Sequence, residues 1–137
     1  MSFTLFDLKS GLDSDDSIEF SRKAILYTES DINKLVYDHK EKLSHFCAKA
    51  LMFFALRELK HNVVSEVEVV NVGICDLYDI STKVIYEFET TGSKKAQQRV
   101  NEIYKYTGNE VIVIDVKELP DDIFQRYLKL KEFIVPD

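Results

Sequence analysis

Apolar and polar positions change their period along this chain, and the changes mark out its elements. From Asp31 to about Lys60, Leu43, Phe46, Cys47, Ala50, Leu51, Phe53, Phe54 and Leu56 spread around much of a helical circumference. A helix that is apolar on most sides is a buried one. Thr28-Glu-Ser30-Asp31 supplies the start signal, because a Ser or Asp oxygen accepts from the free N–H groups of a first turn. His61-Asn62 ends the helix. From Val63 to Val70 the period falls to two, with Val alternating against Ser65, Glu66 and Glu68, which predicts a strand. Asn71-Val72-Gly73 is a turn, and residues 74–80 and 84–90 are the next two strands, joined at Ser81-Thr82. Connections this short predict an antiparallel meander.

Thr91-Gly92-Ser93 then caps a helix over residues 94–106, which Gly108 ends. Residues 110–116 form a continuous apolar strand of the kind buried between layers. Pro120 and Asp121 open a last helix that runs to Lys131. Its acids at the start and lysines at the end match the helix dipole. Upstream, residues 3–8 and 18–27 read as short strands around a polar turn at 9–16. Asp13, Asp15 and Asp16 lack the central Gly and terminal Glu of a calcium loop, so a solvated turn is the better reading. The expected fold class is α/β: an αβββαβ core plus a last helix, a mixed central sheet flanked by helices, and an N-terminal leader of short strands. One domain is expected over 1–137, with the leader at 1–30 and the body at 31–137. The crossover from the third strand of the body to the apolar strand should be right-handed, with those two strands parallel.

Composition narrows the function classes. The chain has 137 residues, 45% apolar and 31% charged, enough for one substantial core. No apolar run is long enough to span a bilayer, and Met-Ser-Phe-Thr-Leu-Phe-Asp-Leu lacks a secretion signal, so no membrane partner and a cytoplasmic location are expected. A net charge of −6 argues against a nucleic-acid coat protein. It leaves room for a nuclease, whose acidic metal ligands enter the count. Cys47 and Cys75 read as buried free thiols, with no Cys/His pattern for zinc. No Ser or Cys nucleophile with a His partner and no glycine-rich phosphate loop can be assembled.

The candidate chemistry lies on two strands. Glu87 and Glu89 share a strand face with Ile85, opposite Val84, Tyr86 and Phe88, and stand roughly 6–7 Å apart. With the turn at 81–82, Asp76 falls about opposite Glu87. Opposed like charges destabilise a strand pair unless neutralised. A Mg²⁺ or Mn²⁺ ion would neutralise them, since hard cations take carboxylate and phosphate oxygens. The next helix carries Lys94, Lys95, Arg99 and Lys105 against Glu102, four bases to one acid, a local +3. Its start favours an anion. Lys94, Lys95 and Arg99, with Gln97 and Gln98, are therefore the candidate nucleic-acid contacts, beside a metal at the scissile phosphate.

On these residues the chain resembles the PD-(D/E)xK nuclease superfamily, the restriction-endonuclease-like fold. The likeness rests on the αβββαβ order over about 40–116, Glu66 on the first strand, Gly73-Ile-Cys-Asp76 on the second and Val-Ile-Tyr-Glu87-Phe-Glu89 on the third. It is most similar to archaeal and virus-associated members related to Holliday-junction resolvases and small DNA nucleases. The resemblance implies a metal-dependent DNA nuclease, endo- or exonucleolytic, in the cytoplasm (the host's for a viral protein), and homodimers as in many resolvase-like enzymes. It makes Asp76 and Glu87 metal ligands, with Glu66, Glu41 and His45 as further candidates. Glu89 stands where the family motif has lysine. Either Lys94 or Lys95 reaches in from the next helix, or Glu89 joins the ligands, or catalysis is lost and a module binding nucleic acid or protein remains. A structural homodimer, its leader strands extending the sheet across a two-fold, is compatible with each. The plain alternative is a solvated sheet face for the acids, a packed helix residue for His45 and a solvated face for the bases.

Overall fold

A computed structural model describes residues 24–90 and 93–136, and within it the chain is α/β. The expected strand at 3–8, the polar turn at 9–16, residues 18–23 and the cap residues Thr91 and Gly92 lie outside the described residues. Five strands form one mixed sheet in the order β1-β2-β3-β4-β5: β1 Ile25–Leu26, β2 Val63–Val69, β3 Gly73–Asp79, β4 Val84–Glu89 and β5 Glu110–Asp115. The first three pairings are antiparallel, and β4 pairs parallel with β5 in register Val84↔Glu110 through Glu89↔Asp115. Among the described residues three helices accompany the sheet: α1 Leu43–Glu58, α2 Ser93–Thr107 and α3 Ile123–Lys131. The meander and the parallel crossover match the expectation from connection lengths. No helix among the described residues is long and apolar enough to cross a membrane.

Both sheet faces are covered. On one, Ala48, Met52 and Leu56 of α1 and Leu130 of α3 pack on Val63, Leu77, Val84, Tyr86, Phe88 and Ile114. On the other, Ile103 of α2 packs with Val64, Val67, Val69, Cys75, Tyr78 and Ile85. Each Val, Leu, Ile, Phe or Met among them contributes roughly 1.5–3 kcal/mol when fully buried. Ile85 is therefore as much a core residue as Tyr86, and the face that Glu87 shares with it is no solvated surface.

The helix expected over 31–60 is shorter. Residues 29–31 make a single 3-10 turn, in which the Thr28 N–H donates to the Asp31 carboxylate at 2.8 Å. Ile32 is then extended, and Asn33 takes φ 62°. The chain here bonds to β2 instead of to itself. Asn33 N–H donates to Val63 O at 2.6 Å, Val63 N–H to Asn33 Oδ1 at 2.9 Å, and Val36 N–H to Ser65 Oγ at 2.8 Å. These cross-links outbid local helix propensity, which is a weak preference. They also cover the β2 edge beyond the two-residue β1. Within α1, Leu43 and Phe54 are exposed, so the helix is less enclosed than its composition suggests.

Both thiols are free, Cys75 buried and Cys47 partly so. At the far end of the sheet, the buried Asp79 carboxylate accepts from Ser81 N–H at 3.0 Å and Thr82 Oγ1 at 2.8 Å, and meets His61 Nδ1 at 2.7 Å. That cluster fixes the β3–β4 turn and hence the register that brings Asp76 to Glu87.

Candidate functional site

The site forms where the sheet breaks its own alternation. Val64, Val67 and Val69 all face the α2-side core, a three-residue step in a strand whose period is two. The step falls at Glu66, whose φ is 54°. Across the ladder, Cys75 and Tyr78 face α2 while Leu77 faces α1, so β3 breaks at Asp76. The flanking pairs Ser65↔Leu77 and Val67↔Cys75 leave Glu66 and Asp76 facing one another. On the other side of β3, paired residues run only from Asp79↔Val84 to Leu77↔Tyr86. Beyond them carboxylates stand in for ladder carbonyls. Asp76 N–H donates to Glu87 Oε2 at 2.8 Å, and Phe88 N–H donates to Asp76 Oδ2 at 2.8 Å.

Helix α1 supplies two cations to these acids. His45 and Lys49 are one turn apart and share a face. His45 Nδ1 meets Glu41, and its Nε2 lies 3.2 Å from Asp76 Oδ2. A ring with a carboxylate at each nitrogen donates from both, which is the imidazolium form. The Asp76 hydrogen bond, against the cost of burial, raises the His45 pKa to about 9. Lys49 is fully buried and gives its three protons to Val36 O at 2.8 Å, Glu41 at 2.9 Å and Glu66 at 2.6 Å. Burial disfavours the Lys49 charge, and the bonds to Glu41 and Glu66 more than offset it, so its pKa rises.

The acids divide in consequence. Burial pushes Asp76 upward, but the His45 bond and charge and the Phe88 N–H outweigh it and hold the carboxyl below its ordinary range. Glu87 is pushed up to about 7 by burial and then by the Asp76 charge, with Arg99 and the Asp76 N–H opposing. Burial also raises Glu66 against the pull of Lys49. Arg99 of α2 donates to Glu87 and to the Ile74 carbonyl, with Cys75 Sγ at 3.7 Å.

A cleft of about 280 Å³ opens here. His45, Asp76, Glu87, Glu89 and Arg99 form its polar lining, and Ile74, Phe88, Val100 and Val113 are among its apolar walls. It lies at the carboxyl ends of β4 and β5, where open α/β sheets leave room for ligands. A larger hollow of about 570 Å³ lies at the other end of these strands, beside Lys83 and Asn109, and holds no acidic cluster.

Five candidates from the sequence thus converge: His45, Asp76, Glu87, Glu89 and Arg99. Glu41 and Glu66 sit behind the cleft, joined through Lys49. Lys94, Lys95, Gln97 and Gln98 are exposed and stay outside its lining. Arg99 is the base of α2 that reaches Glu87, because it lies one turn further along the helix. Lys49 escaped the sequence reading. Its signal was the spacing Glu41, His45, Lys49, three polar residues at four-residue intervals leading into an apolar helix. Among the described residues no group of three or more His, Cys, Asp or Glu side chains is arranged to hold a metal ion.

No protein-family model, curated protein or solved structure matches the chain.

Proposed function

We propose that the protein is a metal-dependent nuclease that hydrolyses phosphodiester bonds in DNA, built on the restriction-endonuclease-like core. The observation that carries the reading is the convergence of Asp76 from β3, Glu87 and Glu89 from β4, His45 from α1 and Arg99 from α2 on one cleft. The order α1-β2-β3-β4-α2-β5, with β4 parallel to β5, supports the same core.

Three carboxylates line the cleft, and carboxylate oxygen is the donor type that a hard divalent cation takes, one or two sufficing beside substrate phosphate. Glu87 Oε2 accepts from the Asp76 main-chain N–H at 2.8 Å, which ties the two residues together, with Glu89 in the same cleft. Burial and the neighbouring anion make the Glu87 charge costly, which is the deficit a cation relieves. Asp76 and Glu87 would hold Mg²⁺ or Mn²⁺, and Glu89 would assist. Such an ion polarises a phosphoryl oxygen and lowers the pKa of a bound water. The protein's own groups do the positioning. His45 locks the Asp76 carboxylate, and Lys49 anchors Glu41 behind His45. The exposed Lys94 and Lys95 lie on α2 beside the cleft, where flanking phosphates would pass.

Glu87→Ala is expected to lower Mg²⁺- or Mn²⁺-dependent DNA cleavage by roughly a hundredfold or more while circular dichroism stays native. Wild-type rates in that variant would remove Glu87 from the reaction.

A second reading has its own observation. Asp76 and Glu87 already have cationic partners in His45 and Arg99, and Glu89 replaces the motif lysine. A nuclease-fold module that binds nucleic acid or a protein without cutting fits that balance. It would bind with no dependence on a divalent cation.

A further inference from the structure

We propose that Arg99 is an exchangeable counter-ion: it holds Glu87 while no divalent cation is bound and turns to a substrate phosphate when a cation takes that carboxylate. The inference rests on the metal-dependent reading above and adds a role at the acids to Arg99, which the sequence offers as a nucleic-acid contact.

Besides His45, two basic residues meet the acids, and they are placed differently. Lys49 is fully buried, and all three of its protons go to protein oxygens. It has no path to a ligand. The Arg99 side chain is 35% exposed and lines the cleft that Asp76, Glu87 and Glu89 share. Its second acceptor is the carbonyl of Ile74, a residue 50% exposed at the cleft mouth, so water can replace the guanidinium there. Leaving therefore uncovers Glu87, which the incoming cation meets, and the Cys75 thiol, a weak acceptor that loses little.

The geometry also makes the two occupants compete. Glu87 Oε2 accepts from the Asp76 N–H, and Oε1 takes the Arg99 donor. A cation that bonds Oε1 stands where the guanidinium stands, and the two positive charges repel. Once displaced, Arg99 remains on α2, the helix whose exposed face carries Lys94 and Lys95. Its planar fork matches a phosphate as well as it matches a carboxylate. The missing motif lysine is then answered by a base that enters only when metal and substrate are present.

Calorimetric titration of Mn²⁺ alone tests the exchange in wild type, Arg99→Lys and Arg99→Gln. Affinity should rise in that order, with Arg99→Gln about tenfold tighter than wild type, since a charge-assisted competitor is gone. Arg99→Lys keeps the charge, so the trend stands even if Arg99→Gln folds poorly. Equal or weaker Mn²⁺ binding in the variants, with clear binding to wild type, overturns the exchange and leaves the metal site intact. Binding to none of the three overturns the metal reading itself. A second readout is the salt dependence of DNA affinity. Loss of Arg99 should reduce the slope by about one in Ca²⁺ and leave it unchanged in EDTA. The same change in both conditions contradicts the exchange.

Discussion

His45 links the acids of the cleft to the helix behind them, and its charge has a consequence that pH can read. Its pKa is about 9 in the folded chain against an ordinary 6.5. Between those values the folded state holds the proton that the unfolded state releases. The stabilisation is complete below pH 6.5 and drains away as pH rises through 9. Glu87, raised to about 7, acts in the same direction over a lower range. Raising the pH from 6.5 to 9 should therefore cost on the order of 2 kcal/mol, seen as a melting temperature that falls by several degrees. His45→Gln should flatten that dependence. An unchanged slope in His45→Gln would show that other groups carry it. At this scale the placement of Asp76 beside Glu87 was readable, because turn position is a local rule. Lys49 and the role of Arg99 were not readable. A long basic side chain reaches several ångströms from its backbone, and its target is decided by tertiary packing.

Among the elements, α1, β2 and the 32–42 segment meet at one ammonium. Lys49 bonds Glu66 of β2, Glu41 just before α1 and the Val36 carbonyl. Removing a buried cation strands its anions. Lys49→Met should thus destabilise the fold by roughly 3–5 kcal/mol in urea unfolding. A loss below about 1 kcal/mol would mean that the acids find water or protons at little cost. The strands β2 to β5 and the helices α2 and α3 were legible to within a few residues, since periodicity, Gly108 and the acids before α3 mark them locally. The start of α1 was not. Thr28 and Asp31 do cap a turn, but Asn33 and Val36 bond β2, thirty residues away in the chain, and no local pattern announces such a partner. The breaks at Glu66 and Asp76 were hidden for the same reason. An alternation is read on the assumption that it continues, and here it reverses where two acids face one another.

For the whole molecule, topology followed from connection lengths: short turns gave the antiparallel meander, and the helix between β4 and β5 gave the parallel pair. The helices flank the sheet as expected, against the solvated-face alternative for the acids. Helices close both faces of the sheet, so the acids are held in a cleft between α1 and α2 instead of lying on an open surface. Enclosure matters for the proposed chemistry, because charges act more strongly where water is scarce. The central claim is that Asp76 and Glu87 form a hard-cation site. Anomalous diffraction from a crystal soaked in Mn²⁺ tests it directly. A peak within coordination distance of Asp76 and Glu87, with Arg99 turned away from Glu87, is the expected result. A crystal with full Mn²⁺ access, no peak in the cleft and Arg99 still on Glu87 would contradict it.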